Sequence, residues 1–249
     1  LLAHSLSEKG VAVVLLERGH MAMGSTAAST ALLQYDIDLA LHELVDRMGE
    51  KRAVRAYELS LRALNDLIEI DPKLDGDTEL TKRPSLRLAR TKKDAAFLEK
   101  EYEARSRSGF DVELWDATRI TKNLPFAWPA VLETTPSATA DPYRLTHALL
   151  HSAADNGALL FDKAGEARIE RRPRSVVVHT KRGPKITARK IVIACGYEAV
   201  DHLPIKVVSL SSTYALVTEP LPDENFWYKN SSFWTTGDPY YYGRTTPDN

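Results

Sequence analysis

The chain is poor in sulfur and in net charge, and each scarcity excludes a function. A single cysteine, Cys195, in 249 residues rules out an internal disulfide framework and any metal site built from thiolates alone. The 33 basic side chains are met by 34 acidic ones, a formal net charge of −1, so no broad electropositive face offers itself to a nucleic acid. The cluster Arg168, Arg171, Arg172 and Arg174 is read as a solvated strand-turn edge. No apolar run approaches the roughly 18 residues of a membrane span. His147 and His151 stand four apart on an expected helix, but no acid or cysteine joins them at ligand spacing, so no metal is expected. Low cysteine usage suits a reducing cytoplasm, the expected compartment. Repeats, linkers and low-complexity segments are all missing.

What is present is ample apolar material, 43% of the residues, in an ordered pattern. Residues 11–16, Val-Ala-Val-Val-Leu-Leu, form a buried-strand run that stops abruptly at Glu17. That is the second strand of a dinucleotide-binding unit, in which a terminal acid accepts hydrogen bonds from a ribose. A glycine-rich turn precedes such an acid by about 20 residues. Counting back from Glu17 lands before Leu1, so the expectation is that the chain starts inside the helix that this turn would have opened. Residues 1–10 then read as the tail of that helix, capped by Gly10. Residues 24–30, Gly-Ser-Thr-Ala-Ala-Ser-Thr, bring small and hydroxyl side chains to what is expected to be a helix start. Exposed N–H groups there suit a pyrophosphate, although an ordinary Ser/Thr cap reads equally well.

Downstream, residues 41–48 and 54–68 carry apolar side chains three and four apart, as amphipathic helices do. A heavily charged helix is expected over 92–107, outside the core, and a strand over 85–90. From about 134 onward the pattern alternates: a helix at 142–156, strands near 158–161, 167–171 and 176–180, a turn at Arg182-Gly183, and a strand over 190–194 running into Cys195-Gly196. Cys195 is read as a packing thiol, not a nucleophile. The tail after Ser209 is rich in aromatics. Four zones result: 1–38, 39–133, 134–208 and 209–249.

The order Val-Val-Leu-Leu-Glu-Arg, then Gly-Ser-Thr-Ala-Ala-Ser-Thr-Ala-Leu-Leu-Gln, then Ala-Asp-Pro-Tyr-Arg-Leu at 140–145, then Ile-Val-Ile-Ala-Cys-Gly-Tyr resembles the FAD-dependent oxidoreductases of the D-amino-acid oxidase family, the group of glycine and sarcosine oxidases. The likeness runs along nearly the whole chain. It implies an α/β fold: a Rossmann-like, glutathione-reductase-like FAD-binding domain lacking its first strand, in parts 1–38 and 134–208, plus an α+β substrate domain in parts 39–133 and 209–249. It implies FAD as cofactor and oxidation of a C–N bond in an amine or amino acid, with oxygen or an electron-transfer partner as acceptor. Glu17 would hold the ribose, with Arg18 beside the adenine. Gly24, Ser25, Thr26, Ala28 and Ser29 would line the stretch from pyrophosphate to ring. Ala167 would present backbone to adenine, and Ala194, Cys195 and Gly196 would close over the pyrophosphate. The family commonly has Thr where Cys195 stands, and its last flavin-binding strand, glycine loop and helix are expected beyond Asn249.

Because hydride transfer to flavin needs no strong base when the amine arrives neutral, no catalytic side chain is singled out. Candidate substrate anchors are Tyr214, Tyr240, Tyr242 and Arg244 on the apparent last hairpin. An Arg there suits a carboxylate, and an alternating aromatic strand face is the plainer reading of the tyrosines. Three other functions stay open: a flavoenzyme acting on a hydroxy acid, an inactive fragment or binding module, and a nicotinamide-dependent dehydrogenase.

Overall fold

The structure is a computed structural model that describes residues 1–181, 183–205, 209, 212–220 and 227–246. Its α-helices, in chain order, are α1 (Leu2–Glu8), α2 (Leu41–Met48), α3 (Glu50–Ile70), α4 (Lys92–Arg107), α5 (Ala117–Asn123) and α6 (Pro142–Asp155). The strands are β1 (Val14–Leu16), β2 (Leu32–Gln34), β3 (Thr81–Lys82), β4 (Ser85–Leu88), β5 (Val112–Trp115), β6 (Val131–Thr134), β7 (Ser137–Thr139), β8 (Leu159–Phe161), β9 (Glu166–Arg172), β10 (Ser175–Thr180), β11 (Lys185–Ala188), β12 (Ser232–Thr235) and β13 (Tyr242–Gly243). The chain divides into two compact units, Leu1–Ser29 with Thr146–Thr218, and Thr30–Leu145 with Glu219–Asn249.

In the first unit β1 and β8 pair in parallel, Val14 with Leu159 and Leu16 with Phe161. The antiparallel meander β9-β10-β11 forms a separate sheet. Helix α1 ends as its glycine requires. Gly10 takes φ 70°, its N–H reaches the Ser7 carbonyl at 2.8 Å, and the Val11 N–H reaches that of Leu6 at 3.0 Å. This double closure satisfies two end carbonyls, and a Cβ at that φ is disfavoured.

Two local expectations fail in this unit. Residues 190–194 form no strand, and Ile191 and Val192 are exposed. An apolar run becomes a strand only where a neighbour takes up its backbone groups, and among the described residues none pairs with it. Residues 24–28 form turns rather than a helix start, and the chain passes through Ala31 at φ 49° directly into β2. The small residues favour an adaptable loop as readily as a cap. Arg182, in the expected hairpin turn, lies outside the described residues, as does part of the aromatic tail.

The second unit is built on the sheet β13-β12-β4-β6-β5, antiparallel except for the parallel pair β12 and β4. Alternation along the strands sorts its two faces. Leu86, Leu88, Trp115, Val131 and Trp227 pack on one, with Ile120 of α5 against them. Arg87, Leu132 and Trp234 point to the other, which meets α4 through Leu98. A second sheet, β2-β7-β3, borders the cluster of Tyr35, Leu41, Leu44, Ala53, Tyr57 and Phe110 on α2, α3 and the adjoining loops.

Helix α4 does not lie outside the core. Its charged residues Glu101 and Arg105 are fully buried and bond to each other through Arg105 Nε. Arg105 Nη1 also pairs with Asp36. Glu101 accepts the N–H groups of Leu41 at 2.9 Å and His42 at 3.1 Å, the opening turn of α2, and His42 Nδ1 lies at 2.8 Å. A carboxylate there meets both the unsatisfied donors and the positive end of the helix dipole.

Removing one partner strands the other charges. Arg105→Met is expected to cost about 3–5 kcal/mol in a denaturant melt. Burial would raise the Glu101 carboxyl, but Arg105 and the Leu41 and His42 donors outweigh it and hold it at about 2, against an ordinary value of 4.5. A folded-state pKa below the unfolded one contributes stability above about 4.5, and that share is lost as pH falls toward 2. Denaturant midpoints measured over this window are expected to fall less steeply in Glu101→Gln than in the parent.

Candidate functional site

Strand β1 delivers Glu17 to its end. There the Glu17 N–H bonds to the Phe161 carbonyl at 2.9 Å, and its carboxylate Oε1 accepts the Gly19 N–H at 2.7 Å. One carboxylate oxygen is thus fixed by backbone. The Glu17 carbonyl accepts the Ala164 N–H at 2.8 Å, which draws the start of β9 to this strand end. Arg18 pairs with Glu198, two residues past Gly196. Gly165 is buried against Arg18, and a Cβ there would come within 3.0 Å of Arg18 Cγ and 3.5 Å of its Cα. Glu17, Arg18, the start of β9 and the Cys195-Gly196 corner are therefore gathered at one place in the first unit.

Two backbone features mark that place. The register of β9 on β10 shifts by one residue between His179, opposite Arg168, and Thr180, opposite Glu166. Gly196 takes φ 58°, a conformation suited to glycine. A cavity of about 550 Å³ opens between β9 and the following segment, lined by Glu166, Arg168, Ile169, Ile191, Ile193 and His202. Its size is that of a small-molecule cleft. Gly24, Ser25, Ala27, Ala28 and Ser29 are exposed and Thr26 half-buried, in a turn belonging to the same unit. Ala194 and Cys195 precede Gly196 outside any strand, and the Cys195 thiol is exposed rather than packed.

The substrate anchors are not brought together as one hairpin. Tyr242 and Arg244 lie on and just after β13 in the second unit, with Tyr240 packed 5.8 Å from Tyr242, centroid to centroid. Tyr214 belongs to the first unit and is 91% exposed, outside any strand. Arg244 donates from Nε to the Thr30 carbonyl at 2.7 Å, from Nη2 to that of Ala140 at 3.2 Å and from Nη1 to that of Thr245 at 3.4 Å. Residues the sequence did not flag include Glu198, Gly165 and Arg83. The pair of Arg18 and Glu198 joins positions 180 apart, so no local pattern announces it. Among the described residues no group of His, Cys, Asp and Glu is arranged to hold a metal ion, and no helix is long and apolar enough to cross a membrane.

The chain belongs to the family of FAD dependent oxidoreductases (DAO), whose pattern it matches over residues 1–249, and FAD is the cofactor of that family. It is 22% identical over 229 residues to a Haemophilus influenzae protein named "Probable oxidoreductase OrdL", covering 88% of this chain and 52% of that one. Among solved structures it resembles glycine oxidase from Geobacillus kaustophilus, with 19% identity, a TM-score of 0.70, and 99% of this chain set against 68% of that one. L-proline dehydrogenase from P. horikoshii gives 16% identity and a TM-score of 0.71 over 99% of this chain and 64% of the other. At these identities the likeness to solved structures is one of fold. The chain spans about half the length of the curated relatives it matches.

Gly165→Val is expected to push Arg18 from its place beside Glu198, an overpacking cost of about 1–3 kcal/mol read in a thermal melt. An unchanged melt would show that the contact yields freely.

Proposed function

We propose that this chain forms part of an FAD-dependent enzyme that oxidises the C–N bond of an amino acid or amine, with an imine as the first product. The observation that carries the reading is the convergence of the Glu17 carboxylate, the register shift at the start of β9 and the Gly196 corner in the first unit. Glu17 would hold the ribose hydroxyls through its free oxygen. Arg18, steadied by Glu198, would lie along the adenine side, and Ala167 on β9 would present backbone to the adenine edge. Gly24, Ser25, Thr26, Ala28 and Ser29 would supply N–H and hydroxyl donors from their exposed turn, while Ala194, Cys195 and Gly196 would close over the pyrophosphate. Bound FAD supplies the hydride acceptor.

The second unit's part is orientation and exclusion of water. Tyr242 and Arg244 sit on it, and no general base is required of the chain when the amine is neutral. The acceptor of the electrons is oxygen or an electron-transfer partner, and the cytoplasm is the compartment we assign on the single cysteine.

The visible spectrum of the purified protein tests the cofactor, and anaerobic bleaching tests the reaction. Flavin bands that bleach with amino acids or amines and persist with hydroxy acids are the expected result. Bands that bleach only with hydroxy acids would sink the C–N assignment, and no bands at all would sink the flavin site. Glu17→Ala is expected to lower the flavin-to-protein absorbance ratio several-fold, since it removes a charge-assisted contact worth roughly 1.5–3 kcal/mol.

A further inference from the structure

The near-zero net charge conceals two segments of opposite sign. Residues 163–190 contain ten Lys and Arg against two acids, Glu166 and Glu170, whereas residues 66–79 contain six acids against one base, Lys73. The first segment spans the meander β9-β10-β11 of the first unit, and the second spans the end of α3 and the turn that follows it in the second unit.

Alternation sorts the two faces of the meander. Arg168 stands opposite His179 and His179 opposite Lys185, so one row across the three strands is basic, and Arg172, opposite Ser175, shares that face. Glu170 is the one carboxylate on it among the described residues, and three groups share it: Arg172 Nε at 2.9 Å, and Arg168 Nη2 and His179 Nε2 at 3.4 Å. Its bonds from Arg172 and then His179 hold the Glu170 carboxyl below the ordinary carboxylate range. Lys181 and Lys185, exposed at one end of the same sheet, have no acidic partner among the described residues. The apolar side chains lie behind. Ile169 alternates onto the other face and shares the cavity there with Ile191 and Ile193. A lipid surface would engage cations and apolar groups on one side, and no aromatic residue in 163–190 offers a base a ring to stack on. The complement of this face is a protein surface rich in carboxylates.

Such a surface is present on the same chain. Glu69 stands in the last turn of α3, where there is no basic residue, and Asp71 follows as its C-cap. Carboxylates at that end oppose the helix dipole and call for a cation. Arg144 answers Asp77 and Glu79, and Arg62 answers Asp66. Glu69 and Asp75 are exposed, and among the described residues neither has a basic partner.

We propose that the basic face of the meander in one copy docks on the acidic end of α3 in a second copy, so that the chain self-associates through charge. A net charge of −1 leaves little repulsion between copies at long range. The paired groups are exposed, so the association is weak and sensitive to salt. Lys181, Lys185, Glu69 and Asp75 are none of the residues assigned to FAD or substrate, and the contact does not rest on the oxidation reading.

The test is sedimentation velocity of the FAD-loaded protein beside two variants whose melts match the parent, Lys181→Glu with Lys185→Glu, and Glu69→Lys with Asp75→Lys. The parent's sedimentation coefficient is expected to rise with concentration at about 20 mM salt and to stay constant at about 0.5 M, where screening shortens the reach of charge to a few ångströms. Each variant alone is expected to associate about tenfold or more weakly, and an equal mixture of the two to regain association, because every reversed face then meets one of opposite sign. A parent that stays monomeric at low salt overturns the proposal, even if it captures poly-L-glutamate through Lys181 and Lys185, which would assign the face to a foreign acidic protein. Association that survives high salt, or either pair of substitutions, overturns it as well. So does a mixture that fails to regain what each variant lost.

Discussion

The second unit depends on one buried cation. Arg105 holds Glu101 on its own helix and Asp36 on the loop after β2, and Glu101 in turn accepts the first N–H groups of α2. Three segments distant in sequence are fixed by one guanidinium. A buried full charge is tolerated because the Arg105 Nε and Nη1 donors meet Glu101 and Asp36, whereas Nη2 finds no partner among the described residues. One cation and two anions leave an excess of negative charge in the interior. Arg87, buried on β4 and stacked 4.1 Å over Trp234 and 4.9 Å over Phe97, is near enough to offset it. Its burial, otherwise costly, follows from the same network.

That constraint reaches the end of β4 through β2. Asp36 follows Gln34 by two residues, so anchoring Asp36 to Arg105 fixes the end of the strand whose Gln34 accepts from Ser85. The β2 strand is short and half-exposed, and three backbone-paired residues would not hold their position alone. The ionic anchor at one end and the β7 pairing along its length supply what the strand lacks. A polar pocket needs its donors held within fractions of an ångström, and here a buried salt bridge, not an apolar core, does the holding.

The sequence was legible where local pattern decides and opaque where distant partners do. Apolar spacing placed α2 and α3, the helix over 92–107 was expected with the bounds that α4 has, and two meander strands near 167–171 and 176–180 were plain, whereas the buried strand expected over 11–16 forms only over 14–16 with Val11 and Val14 exposed, and β11 was missed. The side of α4 was misjudged because Glu101 and Arg105 count as solvent-loving in any pattern, and their burial follows from Asp36, some seventy positions away. Residues 190–194 looked like a strand because β-branched apolar residues do, yet pairing is a property of neighbours. Arg244 was singled out for its fork, but its Nε and Nη2 donors are taken up by the Thr30 and Ala140 carbonyls. Nothing local distinguishes an arginine whose donors are filled by backbone carbonyls from one whose donors are not.

The two units divide the work in a way their side chains explain. In the first, the groups gathered near Glu17 are backbone N–H donors, small residues, a carboxylate already bound on one oxygen and the ion pair of Arg18 with Glu198. Such groups lose little freedom on binding, so they suit holding a large ligand in a single pose. In the second, the groups near Arg244 are charged, hydroxylic and unevenly satisfied, which favours one ligand chemistry over another, because an unmet donor in a buried place penalises every ligand that cannot meet it. Groups that hold a large ligand and groups that discriminate among small ones are thus carried by different residues.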